Sequence, residues 1–293
     1  MAGLRRGAAP LRARRLRQPQ ASLRRALSPL VSRVVVGAIG LPAVLGLLYL
    51  GGWWLFTLAV VAAVIALHEY RLLTRSLRPI ALAGYAGAVL ALVGAQVGGV
   101  DWAVGGFLVT LPLAFVLHWV GTTRQSATVA IASTLLGAAW IGLGLAFLLL
   151  IRALPDHGRL AAFAILLAVF AGDTAAFFAG RLLGRHRLAP TISPGKTWEG
   201  FFAGAVATVF VTFVALYQDR DDFLSIGRSI VLGVVIAVAA PLGDLFESAL
   251  KRDMQVKDTG RLLGGHGGML DRLDAPLFAA VASYFLLRAF GAA

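Results

Sequence analysis

Nine apolar stretches follow one another along this chain, near 34–50, 53–67, 79–98, 102–119, 127–150, 160–180, 200–217, 229–247 and 275–290. No other feature restricts the fold so tightly. Of the 293 residues, 59% are hydrophobic and 14% charged, and the mean hydropathy is +0.82. Soluble domains hold roughly 45–50% apolar and about 25% charged residues. A soluble core of this length cannot hide so much apolar surface, so lipid is the expected solvent. Lipid offers no partners to free backbone groups, so each stretch must be helical. The expected fold class is all-α: a polytopic integral membrane protein of about nine transmembrane helices. Several stretches fall short of about 20 residues, which leaves their ends soft. The chain has no cysteine, which excludes disulfides and thiolate metal sites.

Charge gives the orientation. With the N-terminus inside and nine crossings, the inside segments are 1–33, 68–78, 120–126, 181–199 and 248–274. They hold all but five of the 27 Lys and Arg; Arg152, Arg159, Arg220, Arg228 and Arg288 fall outside. Basic residues collect on the cytoplasmic side, so the N-terminus is expected there. Residues 1–33 contain nine Arg and no acid, with Pro10, Pro19 and Pro29 interrupting. This segment reads as a disordered cytoplasmic arm that touches anionic lipid. An organellar transit peptide is the alternative. Nucleic-acid binding is disfavoured, because the arm has no aromatic interleaving and no attached soluble domain.

The two longest inside loops after the arm carry the polar chemistry. Asp173 and Asp244 interrupt apolar runs near the inner face, where a carboxylate costs about 2.5–3.5 kcal/mol. On a helix, Asp244, Glu247, Ser248 and Lys251 share one face. Asp271 and Asp274, three residues apart, point one way from the start of the last stretch. If the last two stretches pack together, Asp244, Glu247, Asp271 and Asp274 converge. An all-oxygen cluster suits Mg²⁺, Mn²⁺ or Ca²⁺. A helix N-terminus would by itself favour acids at 271 or 274, but not at 244. Lys251, Arg252, Lys257, Arg261 and Arg272 alternate with Gly260, Gly264, Gly265, Gly267 and Gly268. Glycine turns let backbone amides approach phosphates, and the cations supply counter-charge. Metal, glycine loop and cations together are the parts of phosphoryl or nucleotidyl transfer. Gly195-Lys196-Thr197 looks like the end of a P-loop, but Pro190 stands where that motif needs Gly. His266 reads as a loop hydrogen-bonding or phosphate-contacting residue.

The run from Ser248 through Lys251-Arg252, Lys257-Asp258, Gly260, Leu263-Gly264-Gly265-His266-Gly267-Gly268-Met269 to Asp271-Arg272-Leu273-Asp274 resembles the signature of the phosphatidate cytidylyltransferases, or CDP-diacylglycerol synthases. Ser193-Pro194-Gly195-Lys196-Thr197-Trp198-Glu199-Gly200 is similar to a second motif of that family. Gly264 stands where the family usually has Pro, Gly195 where it often has a basic residue, and Phe177 where Tyr is common.

The resemblance implies transfer of the cytidylyl group of CTP to phosphatidate, giving CDP-diacylglycerol and pyrophosphate at a cytoplasm-facing site. It implies Mg²⁺, with K⁺ as an associated ion. Asp244 and Asp271 then look like the metal-holding pair, with Asp258 and Asp274 in support. Ser193, Lys196, Lys251, Arg252 and Lys257 look like phosphate contacts, with Lys251 and Lys257 closest to the chemistry. Asp173, Ser248, His266, Gly267, Gly268 and Arg272 are further substrate-binding candidates. Expected partners are CTP, phosphatidate and membrane lipid, with no nucleic acid; a homodimer rests on family behaviour alone. The expected organisation is an arm over 1–33, N-terminal transmembrane helices over 34–158 and a catalytic transmembrane region over 159–293. A bacterial inner membrane is the expected location, with an organelle as the alternative. Two other readings are a CTP-dependent lipid kinase and a transporter with acids along an ion path.

Overall fold

The computed structural model describes residues 40–121, 126–256 and 267–292. The arm over 1–33 lies outside them, as do Lys257, Asp258 and His266. The described residues form ten α-helices: α1 (Gly40–Leu50), α2 (Gly52–Leu73), α3 (Ala81–Leu108), α4 (Thr110–Val120), α5 (Ala127–Gly137), α6 (Gly144–Arg152), α7 (Gly158–Leu183), α8 (Trp198–Leu216), α9 (Ile226–Asp253) and α10 (Leu270–Ala289). A π-helical segment, Ala138–Leu143, joins α5 to α6 without a break. Among the described residues, six continuous helical runs are long and apolar enough to cross a membrane: Gly52–Leu73, Ala81–Val120, Ala127–Arg152, Gly158–Leu183, Trp198–Leu216 and Ile226–Asp253. The chain is a multi-pass membrane protein.

The run Ala81–Val120 holds two of the expected stretches. At Gly99 φ is 80° and ψ −160°, a conformation that glycine adopts at little cost. The chain reverses there. Gly94 backs onto the backbone of Trp102, Gly106 onto that of Leu90, and Gly87 onto Thr110. The segments on either side of Gly99 therefore lie antiparallel and in contact.

The all-α expectation needs one correction. Arg187–Ala189 (β1) and Ser193–Thr197 (β2) form an antiparallel hairpin, with Arg187 opposite Thr197 and Ala189 opposite Ser193. Pro190 suits its turn, and Pro194 is tolerated because a two-stranded ribbon is all edge.

The helices pack through small residues. Gly172, Ala176 and Gly180 of α7 meet Gly200, Gly204 and Thr208 of α8, so the two backbones approach closely. Helix α6 runs through the centre, with Leu145, Ala146, Phe147, Leu149, Leu150 and Ile151 all buried. Its first residue, Gly144, abuts Leu277 of α10.

The connections cluster at two ends. At one end, Arg152 donates to the carbonyls of Leu48 and Tyr49, His157 stacks on Phe223, and Arg228 donates to the carbonyl of Phe290. At the other, Leu270 N–H meets Glu69, Arg252 reaches Ile192, and Ser76 Oγ lies 3.5 Å from Met254 S. The described parts of the polar loops singled out in the sequence share this second end.

Candidate active site

A cavity of about 830 Å³ opens at the second end, between α7, α8, α9, α10 and the hairpin. Helical periodicity brings Asp244, Glu247 and Lys251 of α9 to its wall, at spacings of three and four residues. Asp271 and Asp274, one turn apart in α10, enter from the facing helix. Gly243 lets the two helices meet: a Cβ there would lie 3.2 Å from Ala275 Cα and closer still to the carbonyl of Asp274. Asp173 comes from α7, and Lys196 from β2, which the hairpin carries across the opening.

Ion pairs hold the acids. Lys196 Nζ lies 2.6 Å from Asp244 Oδ2. Lys251 Nζ lies 3.1 Å from Glu247 Oε2 and 2.9 Å from Asp271 Oδ1. Asp271 also accepts from Gly268 N–H at 2.7 Å, and Ser248 Oγ lies 3.4 Å from Asp244 Oδ1. Glu247 is 1% exposed. Buried carboxylates repel unless cations intervene, and here two lysines intervene. Asp244, Glu247, Asp271 and Asp274 therefore share one cavity without closing into a ligand cage. Among the described residues, no three Asp, Glu or His side chains are gathered tightly enough to hold a metal ion. The donor chemistry nonetheless fits a hard cation, the acids offering oxygen throughout.

Such a cavity, with cations set among carboxylates at a membrane-helix end, suits anionic phosphates entering from water or from lipid. Residues 31–290 match the cytidylyltransferase family. The chain belongs to that family. A phosphatidate cytidylyltransferase of Mycobacterium bovis is 33% identical over 289 residues, covering 92% of each chain. One from Staphylococcus haemolyticus is 34% identical over 250 residues, covering 84% of this chain and 94% of its own. One from Haemophilus influenzae is 40% identical over 136 residues, covering 45% of this chain and 47% of its own.

This cytidylyltransferase gathers some of the residues singled out in the sequence and not others. Asp173, Lys196, Asp244, Lys251, Asp271, Arg272 and Asp274 all line the cavity. Ser193, Ser248 and Arg252 stand behind its wall. Ser193 pairs with Ala189 in the hairpin, Ser248 contacts Asp244, and Arg252 Nε donates to the carbonyl of Ile192 at 3.1 Å. Gly267, with φ 82°, and Gly268 form the turn that opens α10. Lys257, Asp258 and His266, also expected in the site, lie outside the described residues.

No role is legible in the sequence for three polar residues that the structure places at or behind the site. Thr197 is buried at the cavity edge and caps α8, accepting from Gly200 N–H at 3.1 Å. Thr208 lines the wall and donates to the carbonyl of Ala168 at 3.3 Å. Glu69, buried in α2, accepts from Leu270 N–H at 2.9 Å. For Thr197, the signal was a Thr three residues before Gly200 at a helix start. For Glu69, it was an acid at the end of an apolar run, outside every motif.

Proposed function

We propose that this chain transfers the cytidylyl group of CTP to phosphatidate, releasing pyrophosphate and forming CDP-diacylglycerol. The observation that carries the reading is the set of Lys196, Lys251 and Arg272 around one cavity with Asp244 and Asp271. An oxygen of the phosphatidate phosphate attacks the α-phosphorus of CTP. A new P–O bond forms as the bond to the β-phosphate oxygen breaks, and the electron pair leaves with pyrophosphate. The attacking phosphate is already anionic at neutral pH, so no strong general base is required. The barrier lies in bringing two anions together, and preset cations lower it.

Lys196 and Lys251 are paired with carboxylates in the free protein, which holds them oriented for entering phosphates. Asp244 and Asp271 would hold Mg²⁺, with Asp258 and Asp274 in support. Bound there, Mg²⁺ would offset triphosphate charge and favour pyrophosphate departure. The reading also takes nine crossings with the cavity end in the cytoplasm of a bacterial inner membrane. The concentration of Lys and Arg in the loops of that end supports it. CTP then arrives from water and phosphatidate from the bilayer.

Purified protein in detergent, given CTP, phosphatidate and Mg²⁺, is expected to yield CDP-diacylglycerol and pyrophosphate in equal amounts. Asp271→Ala should lower the rate about a hundredfold or more. Release of CDP with a phosphorylated lipid, or undiminished turnover by the variant, would overturn the proposal.

A further inference from the structure

Glu69 lies in α2, 201 residues from the backbone amide it contacts. It is 3% exposed, and its Oε1 has no hydrogen-bond partner among the described residues. Its Oε2 accepts from the N–H of Leu270, the first residue of α10. That N–H is one of those a helix leaves unbonded at its start. No side chain at Met269 caps the helix. Glu69 thus does from another helix what a capping side chain usually does from its own, and its charge meets the positive end of the α10 dipole.

Position is what this contact supplies. A buried carboxylate with one oxygen unpaired is poor for stability alone. The next residue in α10 is Asp271, and Asp274 follows one turn on. Asp271 is held from one side by Gly268 N–H and from the other by Lys251. The Gly268 contact is local to the helix start, whereas Glu69 ties that start to another helix. Glu69 sits on a firm base: the neighbouring Tyr70 Oη donates to the carbonyl of Ser133 at 2.8 Å, tying α2 to α5.

We propose that Glu69 is a positioning residue for the reaction, fixing the first turn of α10 and through it the carboxylate of Asp271. The proposal rests on the cytidylyltransferase reading above. It predicts that acceptor reach matters more than charge at position 69. Glu69→Gln keeps an acceptor at the same length. Glu69→Asp keeps the charge but withdraws it by one methylene.

The test measures full-length protein in detergent by steady-state kinetics and by hydrogen–deuterium exchange, beside wild type and Asp271→Ala. Glu69→Asp and Glu69→Ala are expected to lose about tenfold or more in kcat, as small misplacements of reacting groups do. KM for CTP and phosphatidate should stay within about twofold, because the lysines on α9 and β2 are untouched. Amide exchange should quicken over 268–275 and not over α7 or α8. Glu69→Gln should keep kcat within about threefold of wild type, since the hydrogen bond survives. Wild-type kcat in Glu69→Asp, or Glu69→Gln as slow as Glu69→Asp, would overturn the proposal. So would unchanged exchange over 268–275. A wild type that makes no product counts against the cytidylyltransferase reading instead, and the exchange data then decide the role of Glu69. If Glu69→Ala does not fold, the Gln and Asp variants carry the comparison.

Discussion

Lys251 of α9 and Asp271 of α10 form an ion pair, Nζ to Oδ1, of 2.9 Å across the cavity floor. The same ammonium lies 3.1 Å from Glu247, so one lysine bridges two acids on two helices. Removing it leaves both carboxylates uncompensated. Breaking a buried pair from one side costs about 3–5 kcal/mol. Lys251→Met, which keeps the apolar stem, should lower the unfolding temperature and cut turnover at least about a hundredfold. Adding Glu247→Gln should recover much of the unfolding temperature but not the turnover. Recovery of turnover in the double variant would mean that Lys251 acts only as a structural counter-ion.

Lys196 differs because it sits on the hairpin, a quarter exposed, and pairs with Asp244. Its loss should leave the fold intact. A charge-assisted hydrogen bond to phosphate contributes about 1.5–3 kcal/mol. Lys196→Ala should therefore lower kcat/KM for CTP by roughly ten- to hundredfold, at an unchanged unfolding temperature. Kinetics at varied CTP check this, and a change below about twofold would remove Lys196 from the substrate contacts.

The site was more legible in the sequence than the scaffold. Asp173, Lys196, Asp244, Lys251 and Asp271 lie in motifs whose residue types announce their chemistry, and all reach one cavity. Helical spacing alone placed Asp244, Glu247 and Lys251 on one face. Glu69 was not legible, because its partner is a backbone amide 201 residues away and backbone amides leave no trace in composition. The hairpin was missed because three- and five-residue strands between helices show too little alternation to register. The two apolar stretches around Gly99 were legible as separate, yet the helix there bends back with almost no loop, through one glycine.

Close packing of α7 on α8 positions Asp173 against the hairpin. A Cβ at Gly204 would lie 2.9 Å from the carbonyl oxygen of Gly172 and 3.0 Å from Ala176 Cβ. Backbone cannot yield as a side-chain tip can. Gly204→Leu should cost about 1–3 kcal/mol by overpacking and reduce the folded yield on size-exclusion chromatography. Gly227, at the start of α9, has nothing within 4 Å of a built Cβ, and Gly227→Ala should behave as wild type. Equal behaviour of the two variants would show that the α7–α8 contact is loose.

Metal removal should separate activity from folding. Clustered carboxylates that relied on Mg²⁺ alone would repel when it leaves, and the helix ends would part. Here Lys196 pairs with Asp244, and Lys251 bridges Asp271 and Glu247, without any ion. Treatment with EDTA is therefore expected to abolish CDP-diacylglycerol formation while shifting the unfolding temperature by no more than about 2 °C. Excess Mg²⁺, and to a lesser degree Mn²⁺, should restore turnover, because an oxygen-only donor set favours hard cations. Turnover that persists in EDTA would remove the metal from the reaction. Unfolding in EDTA would show instead that the lysine pairs do not suffice to hold the four acid-bearing turns together.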